Sequence, residues 1–105
     1  MSITDLIANL KSHDAVTRVH AAALLAEMEE EAVEAVPVLI EMLKSESVQG
    51  RKLAIWTLGE IGTVAEAAVP TLLAIAQDDD EEEAVIDLAV AALEKIDVIE
   101  EKQAA

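Results

Sequence analysis

The chain repeats itself at a fixed interval. Residues 36–40 (Val-Pro-Val-Leu-Ile) return at 69–73 as Val-Pro-Thr-Leu-Leu, and the same shift carries Arg18 onto Arg51 and Leu25 onto Leu58. An interval of this size is typical of one supersecondary unit stacked on copies of itself, because each unit needs neighbours to bury its apolar face. The repeat therefore predicts a stacked array that offers a binding surface rather than an enclosed catalytic pocket.

The composition indicates that the repeated units are helical. Apolar residues make up 53% of the 105 residues but aromatic residues only 1%, so Ala, Leu, Ile and Val must form the core. Three Gly and two Pro leave little material for the turns of an all-β fold. Six segments have apolar residues at helical spacing. We expect helices over residues 3–11, 15–29, 32–43, 48–61, 65–76 and 82–96, the last with a possible extension toward Glu101.

Capping residues, glycine and proline indicate where several of the expected helices begin or end. Asp14 is positioned to cap the second helix, and Gly62 follows the fourth, where a left-handed helix terminator is expected. Pro37 leaves two alternatives for the third helix. A helix that begins just before Pro37 tolerates the ring in its first turn, whereas one that begins near Glu31 would be kinked.

Two recurring motifs resemble those of a known family. Residues 58–62 (Leu-Gly-Glu-Ile-Gly), preceded by Arg51 and Ala54, resemble the second helix of a HEAT repeat of the short bacterial, phycobilisome-lyase-like kind. Residues 35–40 and 68–73 resemble its first helix. The resemblance implies an all-α, right-handed α-solenoid of three HEAT-like helix pairs (six helices) in a single domain, residues 1–105. Its repeats would span about 1–33, 34–66 and 67–105.

The third repeat departs from the strict interval, since its second helix is displaced by two further positions through the acidic turn 78–83. HEAT-like repeats usually bridge neighbouring repeats through an acid in the turn and an Arg early in the second helix. This resemblance implies inter-repeat structural roles for Asp14, Arg18 and Arg51, although Ser47 and Ile86 replace the acid of repeat 2 and the Arg of repeat 3.

Helical geometry places Trp56 on the side of the fourth helix opposite its apolar arc, about 160° from the centre of that arc. In a HEAT-like array the second helices line the concave surface, so we expect Trp56 near its middle. Two interpretations of Trp56 stay open, contact with a partner and packing against the next repeat. The expected concave protein-binding surface comprises Val19, His20, Ala23, Glu27, Lys52, Leu53, Trp56, Glu60, Leu88, Ala91 and Lys95.

The net charge of −15 narrows the classes of partner. Seven basic against 22 acidic residues disfavour nucleic acid and anionic membrane surfaces. We expect a non-catalytic module that binds a protein or peptide, with Lys or Arg in the partner favoured. The alternative is a structural self-assembly module, a homodimer or an end-to-end stack, because the terminal helices lack a clear polar capping face. A bilin lyase-like subunit is a third hypothesis, which rests on the family resemblance alone.

Nothing in the sequence predicts a catalytic residue, a cofactor or a metal. The absence of cysteine excludes a disulfide framework and a thiolate site, and it is consistent with a cytoplasmic location. His13 and His20 are too few for a zinc site, and the acidic run 78–83 lacks the ligand spacing of an EF-hand. The sequence has no Ser-His-acid order, Gly-rich phosphate loop or Tyr on which catalysis could be built, so we expect no enzyme. No secretory signal is visible, and no stretch reaches 18 uncharged apolar residues, so we expect no membrane span.

Overall fold

The computed structural model describes residues 2–96, and regular structure within them is helical throughout. Two 3-10 segments, Glu29–Ala35 and Gly62–Ala68, connect helices with no loop between them, so the helices form four contiguous stretches rather than six separate ones, and each 3-10 segment begins at a residue of positive φ where the chain turns. The predicted extension toward Glu101 lies outside the described residues. The helices are α1 (Ile3–Leu10), α2 (Ala15–Met28), α3 (Val36–Met42), α4 (Val48–Ile61), α5 (Val69–Ala76) and α6 (Glu83–Ile96).

α3 and α5 begin later than the predicted starts at residues 32 and 65. Each has its proline, Pro37 or Pro70, in its first turn, and the residues ahead of it wind as a 3-10 helix. Proline has no N–H, and its ring would collide with the carbonyl four residues earlier, so α-helical bonding cannot continue back across it. Of the two alternatives for the third helix, the start just before Pro37 matches the structure.

The starts of the other helices follow from side-chain caps. Ser2 and Asp5 form a reciprocal capping box on α1. Asp14 accepts a hydrogen bond from the backbone N–H of Thr17, which satisfies one of the free donors at the start of α2. Ser47, at the corresponding position of the next repeat, caps the start of α4 in the same way.

The helices pack in two layers. In one layer α2 contacts α4, and α4 contacts α6, so the second helix of each pair lies beside the next. In the other, α1, α3 and α5 each cover the second helix of their own pair, and the two 3-10 segments pack against each other. The Cα atoms extend over 41 × 31 × 17 Å, a slab about two helices thick.

The core between the layers is made of small and branched aliphatic side chains. Ala54, Leu58 and Ala89 are fully buried, and a Cβ atom placed on Gly59 would lie 3.1 Å from the Cα of Ala92. Gly59 therefore lets α4 and α6 approach more closely than any larger residue would. Thr57 is the buried polar residue of the described chain, and its hydroxyl donates to the Leu53 carbonyl at 2.7 Å.

One helical stretch is long and apolar enough to cross a membrane by length and composition alone. It is Val48–Ala76, which comprises α4, a 3-10 segment and α5. Gly62 interrupts it with a φ of 84°, and the side chains of Leu58 and Leu72 within it are fully buried against the rest of the protein. Within its most apolar window, 33% of the residues are buried in the protein, and a core helix can have the same length and composition as a membrane span, so these two properties alone do not indicate a span.

Candidate functional site

A groove of about 410 Å³ lies across the layer formed by α2, α4 and α6. Because α4 lies between the other two helices, residues that are far apart in sequence meet on the walls of the groove. A second depression, of about 440 Å³, continues along α2 and is lined by Ala15, Val16, Val19, His20 and Ala23. The walls of the groove are Ala15, Arg18 and Val19 from α2, Gln49, Lys52, Leu53 and Trp56 from α4, and Leu88 from α6.

Trp56 is an exposed aromatic side chain in a wall of the groove. It retains 40% of its surface exposed, while its neighbours in sequence Ile55 and Thr57 are fully buried. Its indole N–H makes no hydrogen bond to any of residues 2–96. A side chain that offers a large apolar face and a free donor suits contact with a ligand that is partly apolar and partly polar.

Other side chains in the walls of the groove are also apolar. Val19, on the α2 wall, is 56% exposed, and Leu53 and Leu88 are half-buried. These side chains belong to α2, α4 and α6 respectively, so the apolar surface crosses all three helices rather than following one.

Not all of the predicted concave residues meet in this site. Glu27 and Ala91 are exposed but outside the lining of the groove. Glu60 and Lys95 form an ion pair with each other between α4 and α6. Those that line the groove are Val19, Lys52, Leu53, Trp56 and Leu88, and those that line the second depression include His20 and Ala23.

The predicted surface lacks four residues that line these two depressions, Ala15, Val16, Arg18 and Gln49. Ala15 lies four residues before Val19, which puts the two on one face of α2, so helical spacing alone would have identified it. The family resemblance implies an inter-repeat structural role for Arg18, and the structure places this residue on the wall of the groove.

The two charged side chains of the groove are both cationic. Lys52 projects from α4 beside Trp56, and Arg18 projects from α2. Within residues 2–96, Lys52 makes no ion pair or hydrogen bond, whereas one guanidinium nitrogen of Arg18 donates to the Ser12 carbonyl at 2.7 Å. The groove of this acidic protein is therefore locally basic.

The arginines of α2 and α4 make the same local contact. Arg18 bonds the Ser12 carbonyl, and Arg51 bonds the Ser45 carbonyl, also at 2.7 Å. Ser12 and Ser45 occupy the same position in successive repeats, a recurrence in the sequence that would have indicated this contact. The Asp14 carboxylate accepts from the backbone N–H and the hydroxyl of Thr17, and the Asp14 N–H donates to the Ser12 hydroxyl, so these hydrogen bonds stay within the first helix pair.

Only one of these arginines, among the described residues, forms an ion pair with the following helix pair. Arg51 donates two hydrogen bonds, each of 2.9 Å, to the carboxylate of Glu81 in the turn before α6. The pKa of Glu81 is held below its ordinary value, chiefly by these hydrogen bonds from Arg51. The hydrogen bond from the backbone N–H of Glu82 and the positive charge of Arg51 lower it further. For Asp14 the bond from the Thr17 hydroxyl is the first cause of a lowered pKa.

The rest of the acidic turn 78–83 is largely exposed. Its backbone is held locally, with the N–H of Asp80 bonded to the side chain of Asp78 at 2.9 Å. Over residues 2–96, no three acidic or histidine side chains are arranged to hold a metal ion.

The comparisons with known proteins agree with the helical repeat. The family model for HEAT repeats matches residues 3–98, almost the whole chain. No curated protein matches the chain. HEAT repeats are generally protein-interaction or scaffold modules, and they are typically non-catalytic.

Proposed function

Because the chain belongs to the HEAT repeat family, we propose that it is a non-catalytic module that binds a protein or peptide in the groove around Trp56. The observation that carries this proposal is the exposure of Trp56, 40%, in an apolar groove of about 410 Å³. We propose with it that three repeats, residues about 1–33, 34–66 and 67–105, form one right-handed solenoid whose concave side is this groove.

Trp56 has the properties of an interface anchor. Tryptophan buries a large area with few rotatable bonds, and it is enriched among the few residues that dominate binding energy. The partly covered indole is already oriented by α4, so little conformational entropy is lost when a partner covers the rest. Removal of such an anchor typically costs at least about 2 kcal/mol of binding free energy, which is roughly a 30-fold loss of affinity.

The remaining walls define the shape of the partner. Val19 and Leu88 flank Trp56 from α2 and α6. A segment that fills the groove must therefore contact three helices at once, which suits an amphipathic helix or an extended peptide with apolar residues along one side. The indole N–H and the amide of Gln49 add polar contacts at the same place.

The proposal is tested by selecting peptides from a random display library on the wild-type protein and titrating them against Trp56→Ala. Leu73→Ala is the matched control, because Leu73 is 44% exposed on α5, outside the groove. We expect the Trp56 variant to bind at least roughly 30-fold more weakly and the Leu73 variant to bind like the wild type. Circular dichroism verifies that both variants keep their helices.

Peptides that bind Trp56→Ala as tightly as the wild type would contradict the proposal. Self-association through the groove is a competing outcome, which light scattering across a dilution series detects. A dimer whose Trp56 fluorescence shifts to the red on dilution would assign the groove to a second copy of the chain.

A further inference from the structure

The charge inside the groove has the opposite sign to the charge of the whole protein. We infer that the groove selects an acidic partner, an apolar peptide segment that brings an Asp or Glu carboxylate to Lys52 beside Trp56. This inference rests on the proposed function and adds the chemistry of the partner to it. It differs from the expectation of a basic partner, which came from the total charge of the chain.

Lys52 is the main reason for the inference. It is one of two charged residues in the walls, is partly buried, and has no ion pair or hydrogen bond among residues 2–96. An apolar partner that covered the groove would remove water from this ammonium group without replacing the lost hydrogen bonds, which is unfavourable. A carboxylate on the partner supplies the missing acceptor, and a basic side chain at the same place would add repulsion.

Arg18 adds a second positive charge to the groove, from the α2 wall. Its bond to the Ser12 carbonyl holds the guanidinium against α2 and leaves its other N–H groups available. Asp14 is close enough for its pKa to be affected by Arg18, so part of the Arg18 charge is already balanced. Lys52 is therefore the stronger of the two contacts for an anion.

The many acids of the protein do not cancel this local charge. At physiological ionic strength, exposed charges are screened over about 8 Å. The Asp78–Glu83 run lies in the turn before α6, and Glu60 is paired with Lys95. Asp87, the α6 residue at the position that corresponds to Lys52, is exposed and outside the walls of the groove. Distant acids slow the approach of an acidic peptide, but the contacts in the groove decide which peptide stays bound.

The test compares two synthetic peptides. One is the most enriched library peptide whose binding needs Trp56, and the other is its copy with every Asp and Glu changed to Asn and Gln. Both are titrated against wild type, Lys52→Glu and Lys44→Glu, with Trp56 fluorescence as the readout. Lys44 is the matched control, because it is an exposed lysine outside the groove and its reversal changes the net charge equally.

We expect the selected peptide to contain Asp or Glu and to bind Lys52→Glu at least roughly tenfold more weakly, while Lys44→Glu changes the affinity less than about twofold. The amide copy should bind the wild type more weakly than the selected peptide does. Its affinity should be nearly the same for the wild type and for Lys52→Glu. Trp56-dependent peptides that are neutral or basic, or that tolerate Lys52→Glu, would overturn the inference but leave the proposed function intact. A library that yields no Trp56-dependent peptide would overturn both.

Discussion

Glu29 and Gly62 occupy the same position in successive repeats, and both have a positive φ. Each is the first residue of a 3-10 segment, where the chain turns away from the preceding helix. The φ is 84° at Gly62 and 50° at Glu29, with ψ of −142° and −112°. Glycine adopts this region without a steric penalty, whereas a residue with a Cβ atom is strained by about 1–3 kcal/mol.

We therefore predict that Glu29→Gly stabilises the protein. Relief of backbone strain should exceed the extra entropy that glycine gives the unfolded chain, so the free energy of unfolding should rise by about 1 kcal/mol. Urea unfolding followed by circular dichroism measures this change.

Glu30→Gly is the control for Glu29→Gly. Glu30 is also exposed and acidic, and it does not have a positive φ. Its replacement removes the same charge and adds the same flexibility to the unfolded chain without relieving strain, so it should lower stability. If Glu29→Gly lowered stability as much as Glu30→Gly, the strain at Glu29 would not exist in solution.

At the scale of elements, the contacts between neighbouring helix pairs are unequal. α4 is joined to the third pair by Arg51–Glu81 and Glu60–Lys95, in addition to the close approach at Gly59. α2 and α4 pack through apolar contacts, and no ion pair joins them in the described chain. The Arg51–Glu81 pair is the better ordered of the two, because its side chains are only 16% and 9% exposed and it has two bonds.

We predict that Glu81→Gln lowers the free energy of unfolding by about 1 kcal/mol at neutral pH, near the upper end for partly exposed ion pairs. The pKa of Glu81 is lowered in the folded protein, so its contribution is fully present above its ordinary pKa of 4.5. It is lost as the pH falls through the lower folded value. The difference between variant and wild type should shrink below pH 4.5, as measured by urea unfolding at several pH values.

Asp79→Asn serves as the control for this pH dependence. Asp79 lies in the same turn, is exposed and forms no ion pair among residues 2–96. Replacement of Asp79 should change the free energy of unfolding only slightly, and by much less than Glu81→Gln does. A cost of Glu81→Gln that stayed constant down to pH 3 would show that the charge of Glu81 is not involved.

For the whole molecule, the net charge of −15 sets up repulsion within the folded protein. We predict that the urea midpoint rises when the ionic strength is raised from about 0.01 M to about 0.15 M, because the screening distance falls from about 30 Å to about 8 Å. Sodium chloride and tetramethylammonium chloride should act alike, since screening does not depend on the identity of the cation.

Two results would contradict this electrostatic prediction. A midpoint that fell with salt would mean that favourable ion pairs outweigh the repulsion. A rise with sodium but not with tetramethylammonium would point to specific cation binding, with the acidic turn 78–83 as the first place to look.

Much of the fold could be predicted because its determinants are local. Apolar spacing predicted helix at each α-helical segment of the described chain, and α4 was predicted with its observed ends, but the structure joins these segments into four stretches rather than six separate helices. The cap at Asp14 and the end of α4 at Gly62 depend on residues within one turn of the helix end, although Gly62, with φ 84° and ψ −142°, does not have the left-handed helical conformation that was predicted for it. Only the 3-10 segments before Pro37 and Pro70 were missed, since apolar spacing does not separate a 3-10 turn from an α-helical one.

The candidate site was predicted less completely, because its residues belong to three helices. The outward position of Trp56 follows from the geometry of α4 alone, and the sequence determined it, together with the repeat and the helical class. The tertiary structure decided three contacts that the sequence did not predict. Arg51 pairs with Glu81, Glu60 pairs with Lys95, and Arg18 and Lys52 line the same groove. These contacts depend on how far each helix is rotated and displaced against the next, and helical periodicity gives the direction of a side chain but not the neighbour that it meets.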